Sequence, residues 1–294
     1  MHPSALMKKR LALVTYNGLP HGAESERLML PYLAAANVET EIVDWHSAGF
    51  EPSQFDLLVL RTCWDYHLRS VEFKAWLQQA ATVVPVLNGI ETVFWNYNKF
   101  YLLELEQNGQ QIAPTVFVRG RERIQTRQWN DVLRWEKIVV KPAVSATAHK
   151  TWLFDRVSLP SSDELKDRMQ NQAFLIQEFI PEIVTGGEIS FIYIDGVFSH
   201  AVLKRPASGD FRVQKDYGGT TEPFIPPREL LKDADKIAAS VPQVRDSLYC
   251  RIDAVARDGK LVLMELELIE PELFLGLAEG AAERFAEAII RRLK

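Results

Sequence analysis

The sequence predicts an α/β chain in three parts: an N-terminal parallel-sheet unit over 1–92, and two α+β units over 93–176 and 177–294. Three observations carry this. Strand and helix patterns alternate up to about residue 92, as a parallel sheet with covered faces requires. The middle then changes to short strands grouped around helices. The last third carries two hairpins and a Pro- and charge-rich segment.

In the first unit, "RLALVTY" is an apolar strand, followed by the loop "NGLPHG" and a helix expected from about Glu24 to Ala36. "ETEIVDW", "FDLLVLR" and "TVVPVLN" are further strands, with "VEFKAWLQQA" helical between the last two. No GxGxxG follows the first strand, so an ordinary dinucleotide site lacks support. In the second unit, "NKFYLLELEQNG" is a helix closed by Gly109. "TVFV", "KIVVKPAV" and "TWLFD" are strands, and "SSDELKDRMQ" is a helix with a Ser/Asp start. The third unit opens with "AFLIQEFIPEI" and a hairpin turning at Asp195-Gly196. "RPASGDFRVQKDYGGTTEPFIPP" reads as a mobile loop, within which "SGDFRVQKDYGG" is expected to order over ligands. A helix, the hairpin "CRIDAVARDGKLVLMELEL" and a helix from about Ala278 complete the chain.

Composition narrows the function. Of 294 residues, 47% are hydrophobic and 25% charged, which sustains a sizeable core. The net charge of −5, with no basic block, argues against nucleic acid. Cys63 and Cys250 form no paired motif, so a reducing compartment is expected. The start lacks a signal peptide's long apolar region, and no apolar run approaches about 18 residues. A cytoplasmic protein off the membrane is expected, with the first six residues a leader and Met7 the natural start.

The chemistry concentrates in "LVLMELELIEP", Leu261–Pro271, where Glu265 and Glu267 interrupt a buried strand. Strand alternation puts both on one face, with Val262, Met264, Leu266 and Leu268 on the other. A two-residue turn at Asp258-Gly259 would pair Asp253 with Met264, away from the glutamates. A three-residue turn, Arg257-Asp258-Gly259, pairs it with Leu263 and brings Asp253 diagonal to Glu265; this register is preferred. Three oxygen donors then suit a hard cation such as Mg²⁺. Without metal these carboxylates should repel one another. Lys99, at a helix start, and Lys141, ending an apolar strand, would form a phosphate clamp beside that metal. The small-residue loop containing Ser145 would bring backbone N–H groups to phosphates.

The order Lys99, Lys141, small-residue loop, "QEFIPE", Asp253 and Glu265-x-Glu267 resembles the ATP-grasp superfamily over nearly the whole chain. "RTCWDY", "WNYNKFYL", "VVKPAVSATA", "FSHAVLK" and "ELELIEPELFL" are similar to the subgroup of the cycloserine-forming ATP-grasp ligase. The resemblance implies an ATP-grasp fold with two α+β units gripping ATP. It implies ATP phosphates on Lys99, Lys141 and Ser145, and adenine against Glu178 and the backbone of Phe179 and Ile180. Glu188 would lie near the ribose, and Asp253, Glu265 and Glu267 would hold Mg²⁺, with Mn²⁺ an acceptable substitute. Glu267 stands where most of the superfamily has Asn, and the phosphate loop lacks the usual glycines. A loop cation would stabilise an acyl phosphate; Lys204, Arg205 and Arg212 all qualify, and hairpin register decides which of the first two faces Glu188.

"RTCWDY" ends a strand of the first sheet, where ligands of open α/β sheets bind. Arg61 could hold a substrate carboxylate and Asp65 an amine; an Arg–Asp structural pair is the alternative. Cys63 reads as a buried thiol and His200 as a core or rim histidine. The expected activity is an ADP-forming carboxylate–amine or cyclo-ligase acting on a small amino-acid-like molecule. A silent nucleotide-binding regulator and a small-molecule kinase are the alternatives. A homodimer is compatible with this reading.

Overall fold

The computed structural model describes residues 8–293; the expected leader and the start at Met7 lie outside them. Strands β1 (Lys9–Thr15), β2 (Val38–Asp44), β3 (Leu57–Thr62) and β4 (Val86–Leu87) form a parallel sheet in the order β2-β1-β3-β4. The central strands are apolar on both faces because both faces are covered. Ala12, Val14, Leu58 and Leu60 pack on Phe73 and Leu77 of helix Ser70–Ala81. Leu11, Leu13, Leu57 and Val59 pack towards Phe285 and Ile289 of helix Ala281–Arg292. The single helix expected from Glu24 is broken into Glu24–Arg27 and Leu30–Ala35. Pro31 causes this, since in the first turn of the second helix it can neither donate an N–H nor continue the first.

Strands β5 (Thr115–Val118), β6 (Lys137–Pro142), β7 (Trp152–Asp155) and β8 (Phe174–Glu178) form an antiparallel sheet, β5-β8-β6-β7, with its own core around Ile138, Val140 and Ile176. Helix Ser162–Arg168 carries a capping box, Ser161 with Glu164. A third, antiparallel sheet has the order β11-β10-β9-β12-β13. Its strands are β9 (Glu188–Ile194), β10 (Val197–Arg205), β11 (Thr220–Phe224), β12 (Tyr249–Arg257) and β13 (Lys260–Glu267). Two of the expected unit boundaries fall within secondary-structure elements. The junction at 92/93 falls inside helix Ile90–Asn96, and β8 runs through Glu178, past residue 176.

The first and third sheets share one core. Ile192, Ile194, Val202 and Leu248 meet Leu11, Met29 and Leu33 through the last helix. Among the described residues no helix is long and apolar enough to cross a membrane.

Arg61 belongs to this shared core and does not reach a ligand. At 1% exposure it holds both oxygens of the buried Glu26, donates to the Pro271 carbonyl, and stacks on Tyr249 and Phe285. Asp65 accepts from Trp45 Nε1 at 2.8 Å. The substrate roles expected for both residues are therefore replaced by structural ones, and neither lines the main cavity. The Arg–Asp pair is not formed either, because Arg61 faces the shared core and meets Glu26. Cys63 is a sealed thiol donating to the Val14 carbonyl, and His200 is buried against the Leu273 carbonyl.

Breaking a buried ion pair strands its other member. Glu26→Gln should therefore lower stability by about 3–5 kcal/mol in urea unfolding. An unchanged unfolding midpoint would return Arg61 to a role at the ligand.

Candidate active site

A cavity of about 1060 Å³ is lined by residues of all three units, among them Lys99, Lys141, Phe179, Glu188, Glu265 and Glu270. The carboxylates reach it through an irregularity that the sequence reading did not contain. The β12–β13 hairpin turns on two residues, Asp258 (φ 52°) and Gly259 (φ 75°), not three. Pairing runs from Arg257 opposite Lys260 to Ala254 opposite Leu263, then shifts so that Asp253 faces Glu265 and Arg251 faces Glu267. Met264 is the extra residue of a β-bulge. Before the bulge, Leu261 and Leu263 face the core; after it, Leu266 and Leu268 do. The expected division of the strand into two constant faces is corrected accordingly. The bulge reverses the alternation and turns Glu265 and Glu267 to the cavity.

Cations meet these carboxylates. Lys141 Nζ donates to Glu265 at 2.9 Å, and Lys99 Nζ lies 4.0 Å from the other Glu265 oxygen. Lys99 also donates to the Ser145 carbonyl at 2.7 Å and to its hydroxyl at 3.3 Å. Arg251 bridges Asp253 at 2.9 Å and Glu267 at 2.6 Å. Lys204 lies between Glu188 and Asp253. The mutual repulsion expected without metal is therefore offset by lysine and arginine.

The protonation states follow. Burial pushes Asp253 up, but Arg251 and Lys204 outweigh it and hold the carboxyl well below the usual range. Burial likewise acts on Glu265, and Lys141 with Lys99 overcomes it. Glu267 is pushed up to about 8, first by burial, then by Asp253, Glu265 and Glu270, beyond what Arg251 offsets.

The expected metal set divides. Among the described residues no group of three His, Cys, Asp or Glu is arranged to hold a metal ion. Asp253 accepts from Ser190, Lys204 and Arg251 and has a side chain only 4% exposed, so its oxygens are committed. Glu265 and Glu267, at 24% and 26%, face the cavity and are the all-oxygen pair that suits a hard divalent cation.

The hinge of the second sheet fits an adenine edge. Glu178 N–H donates to the Pro114 carbonyl, and proline has no N–H to return. The Glu178 carbonyl and the Ile180 N–H, two residues on, have no partner among the described residues. They leave an acceptor and a donor on one edge of the strand. The Phe179 N–H is spent on the Lys137 carbonyl, and Phe179 also lines the cavity wall.

The small-residue loop turns without glycine. Thr147, Ala148 and Lys150 adopt φ of 50°, 54° and 52°, a left-handed region that is uncommon for non-glycine residues.

The remaining loop cations separate by register. Lys204 pairs across from Glu188, as one strand face requires, while Arg205 is exposed and reaches Glu222 and the Gly186 carbonyl. Arg205 is thereby removed from the site. Arg212 lines the cavity, held by Asp210 and stacked 3.6 Å from the Tyr217 ring centre. The loop carrying it closes at Gly219, where a Cβ would lie 2.2 Å from the Val213 carbonyl oxygen. Its Phe211 ring sits edge-on to Phe179. Arg251 and Glu270 were missed from sequence. Arg251 was legible, since it stands two residues before Asp253 on the same face.

Two antiparallel sheets, the second carrying Lys141 and the third the carboxylates, with Lys99 supplied by the segment between the first two sheets, enclose a nucleotide-sized cavity with an open hinge and define an ATP-grasp enzyme. The chain belongs to the RimK-like ATP-grasp domain family, whose model matches residues 86–272, and it is an ATP-grasp ligase. Residues 11–88 match the N-terminal domain of the D-cycloserine synthetase DcsG. The cycloserine biosynthesis protein DcsG of Streptomyces lavendulae is 27% identical over 286 residues, covering 90% of this chain and 94% of that protein. The crystal structure of D-cycloserine synthetase DcsG superposes with a TM-score of 0.82 at 24% identity, covering 97% of this chain and 100% of that one. D-alanine–D-alanine ligase from Bacillus anthracis gives 0.68 at 16% identity, covering 97% of each chain.

A carboxyl whose folded pKa is raised binds a proton that the unfolded chain, near about 4.3, has released. Stability therefore falls as pH rises towards the folded value. His67, lowered to about 4 by burial and by His149, opposes this below its ordinary value of 6.5. Ligand-free protein should thus lose stability from about pH 6.5 to 8.5. Glu267→Gln should flatten that slope in melts across the range; an unaltered slope would show that Glu267 is ionised throughout.

Proposed function

We propose that the protein activates the carboxylate of a small amino-acid-like substrate with Mg-ATP and joins it to a nitrogen of a second molecule or of the same one. A substrate carboxylate oxygen attacks the γ-phosphorus, the bond to the bridging oxygen breaks, and ADP leaves. The nitrogen then attacks the acyl-phosphate carbonyl carbon, the C–O bond to phosphate breaks, and the nitrogen's proton is released. The observation that carries this reading is the convergence of Lys99, Lys141 and Arg212 on one cavity with Glu265 and Glu267. Those cations suit a polyphosphate and a developing acyl-phosphate charge, so catalysis rests on positioning and charge. The Glu178 carbonyl and Ile180 N–H would orient the base, and Glu188 lines the same cavity. Glu265 and Glu267 would hold Mg²⁺, which when bound supplies charge neutralisation of the phosphates. Relatives named for cycloserine synthesis and for D-alanine–D-alanine ligation support an amino-acid-like substrate.

Incubation with Mg-ATP and an amino-acid panel should give substrate-dependent ADP together with free phosphate. A phosphorylated product would instead identify a kinase. Lys141→Ala should weaken Mg-ATP binding by about tenfold or more in calorimetry, equivalent to the loss of one charge-assisted contact. An unchanged affinity would remove Lys141 from the nucleotide site.

A further inference from the structure

The amine-binding role expected for Asp65 has no basis at that position, yet the cavity contains another carboxylate suited to it. Glu270 is 6% exposed and lines the cavity. Glu188, Asp253, Glu265 and Glu267 each meet a lysine or arginine, as described above. Among the described residues, the Glu270 carboxylate is paired with no cation and receives no hydrogen bond from another side chain. A buried, unpaired carboxylate is costly, and such costs persist where a ligand repays them.

Its backbone is held firmly. Tyr249 Oη donates to the Ile269 carbonyl at 2.7 Å, Trp64 Nε1 to that of Glu270 at 3.0 Å, and Arg61 Nη2 to that of Pro271 at 2.9 Å. Pro271 further restricts Glu270 to extended backbone. Three consecutive carbonyls are thus fixed by buried or half-buried donors, and the side chain between them is pre-positioned. The wall around it is aromatic: Trp64, Tyr66 and Tyr97 line the same cavity, the two tyrosine rings 5.0 Å apart and edge-on.

We propose that Glu270 receives the cationic amino group of the substrate, with Trp64, Tyr66 and Tyr97 as the aromatic side of that subsite. A carboxylate beside aromatic faces favours an ammonium through charge and cation–π attraction. The same carboxylate repels phosphates, and it lies on the wall held by the N-terminal unit, whereas the open hinge atoms lie on the second sheet. Burial, the largest influence, pushes Glu270 up to about 7, beyond what Arg251 and Lys99 offset, so an arriving ammonium would also restore its charge. This rests on the ligase reading above and specifies its substrate: a molecule carrying a free ammonium as well as the carboxylate to be activated.

The test compares the parent with Glu270→Gln, using matched pairs that differ only in amine against hydroxyl: D-alanine with D-lactate, D-serine with D-glycerate, and their L-forms. Mg-ATP affinity should be equal in both proteins, and the variant should melt higher at pH 8, with the gap shrinking towards pH 5. The amino member of a pair should stimulate ADP release in the parent at least about tenfold over its hydroxy counterpart, and the variant should lose that preference through KM. Loss of Mg-ATP binding in the variant would make Glu270 a metal ligand, and a lower melting temperature would make it structural; either overturns the proposal. If no compound stimulates ADP release, the ligase reading fails by itself. Glu270 is then judged by thermal shifts with Mg-AMPPNP present. An amine-dependent shift that Glu270→Gln abolishes sustains the subsite, and no such shift overturns it.

Discussion

Met264 has no partner across the β12–β13 ladder, and this single insertion determines what the cavity contains. In a regular strand, Glu265 and Glu267 would continue the face of Leu261 and Leu263 and enter the core beneath helix Arg228–Ser240. Two unpaired carboxylates there would be prohibitive. The bulge exchanges the faces between Leu263 and Glu265, so the apolar face stays continuous while the glutamates reach the cavity. It is held in place from outside the hairpin. Leu263 N–H donates to the Gln111 carbonyl and its own carbonyl accepts from Ala113, while Tyr101 Oη accepts from Leu266 N–H. Asn96 then spans Leu266 and Leu268 with both atoms of its amide. The exposed edge of β13, which would otherwise invite another strand, is thus covered by the segment joining the first two sheets.

The same segment supplies Lys99, so the covering of the edge and the supply of charge are one arrangement. Glu265 from the third sheet holds Lys141 of the second sheet and lies near Lys99, adding an ionic link to the apolar core in which Leu102, Ala143 and Leu175 already meet Ile189, Phe191 and Leu263. An anionic ligand would compete for the same lysines. Arg251 bridges Asp253 and Glu267; with Lys204 it holds Asp253 ionised, and it offsets only part of the burial cost at Glu267. It leaves Glu265 and Glu267 facing open space, with Asp253 fixed beneath them as a counter-ion.

Periodicity made the sheets legible. Alternating β and α patterns in the first unit correspond to β1–β4, and Asp195-Gly196 does turn the β9–β10 hairpin. It could not place a bulge, because Met264 fits a strand equally well in either register. The preferred three-residue turn brought Asp253 near Glu265 by the wrong route: the turn has two residues, and the shift lies farther along the strand. Arg61 was misread for a different reason. Its partner Glu26 is in a short helix remote in sequence, and no spacing rule links them. Arg251 could have been found by the alternation already applied to the glutamates. Glu270 could not, since it follows the strand end, where no period assigns a face.

The two sides of the cavity are consequently built on different physics. Where the nucleotide would lie, the wall is made of opposite charges brought together from the second sheet, the third sheet and the segment carrying Lys99. Where Glu270 lies, the wall is fixed by Tyr249, Trp64 and Arg61, and Arg61 is itself locked by Glu26 in a core shared between the first and third sheets. A polyphosphate is recognised well by a few converging cations, because its charge is large and spread over many oxygens. A small substrate has few groups to distinguish it, so selectivity requires polar atoms held in place before it arrives. On the proposal that Glu270 receives the substrate's ammonium, the buried Arg61–Glu26 pair would contribute to specificity by holding the Pro271 carbonyl. That contact extends the rigidity of the shared core to the chain at Glu270.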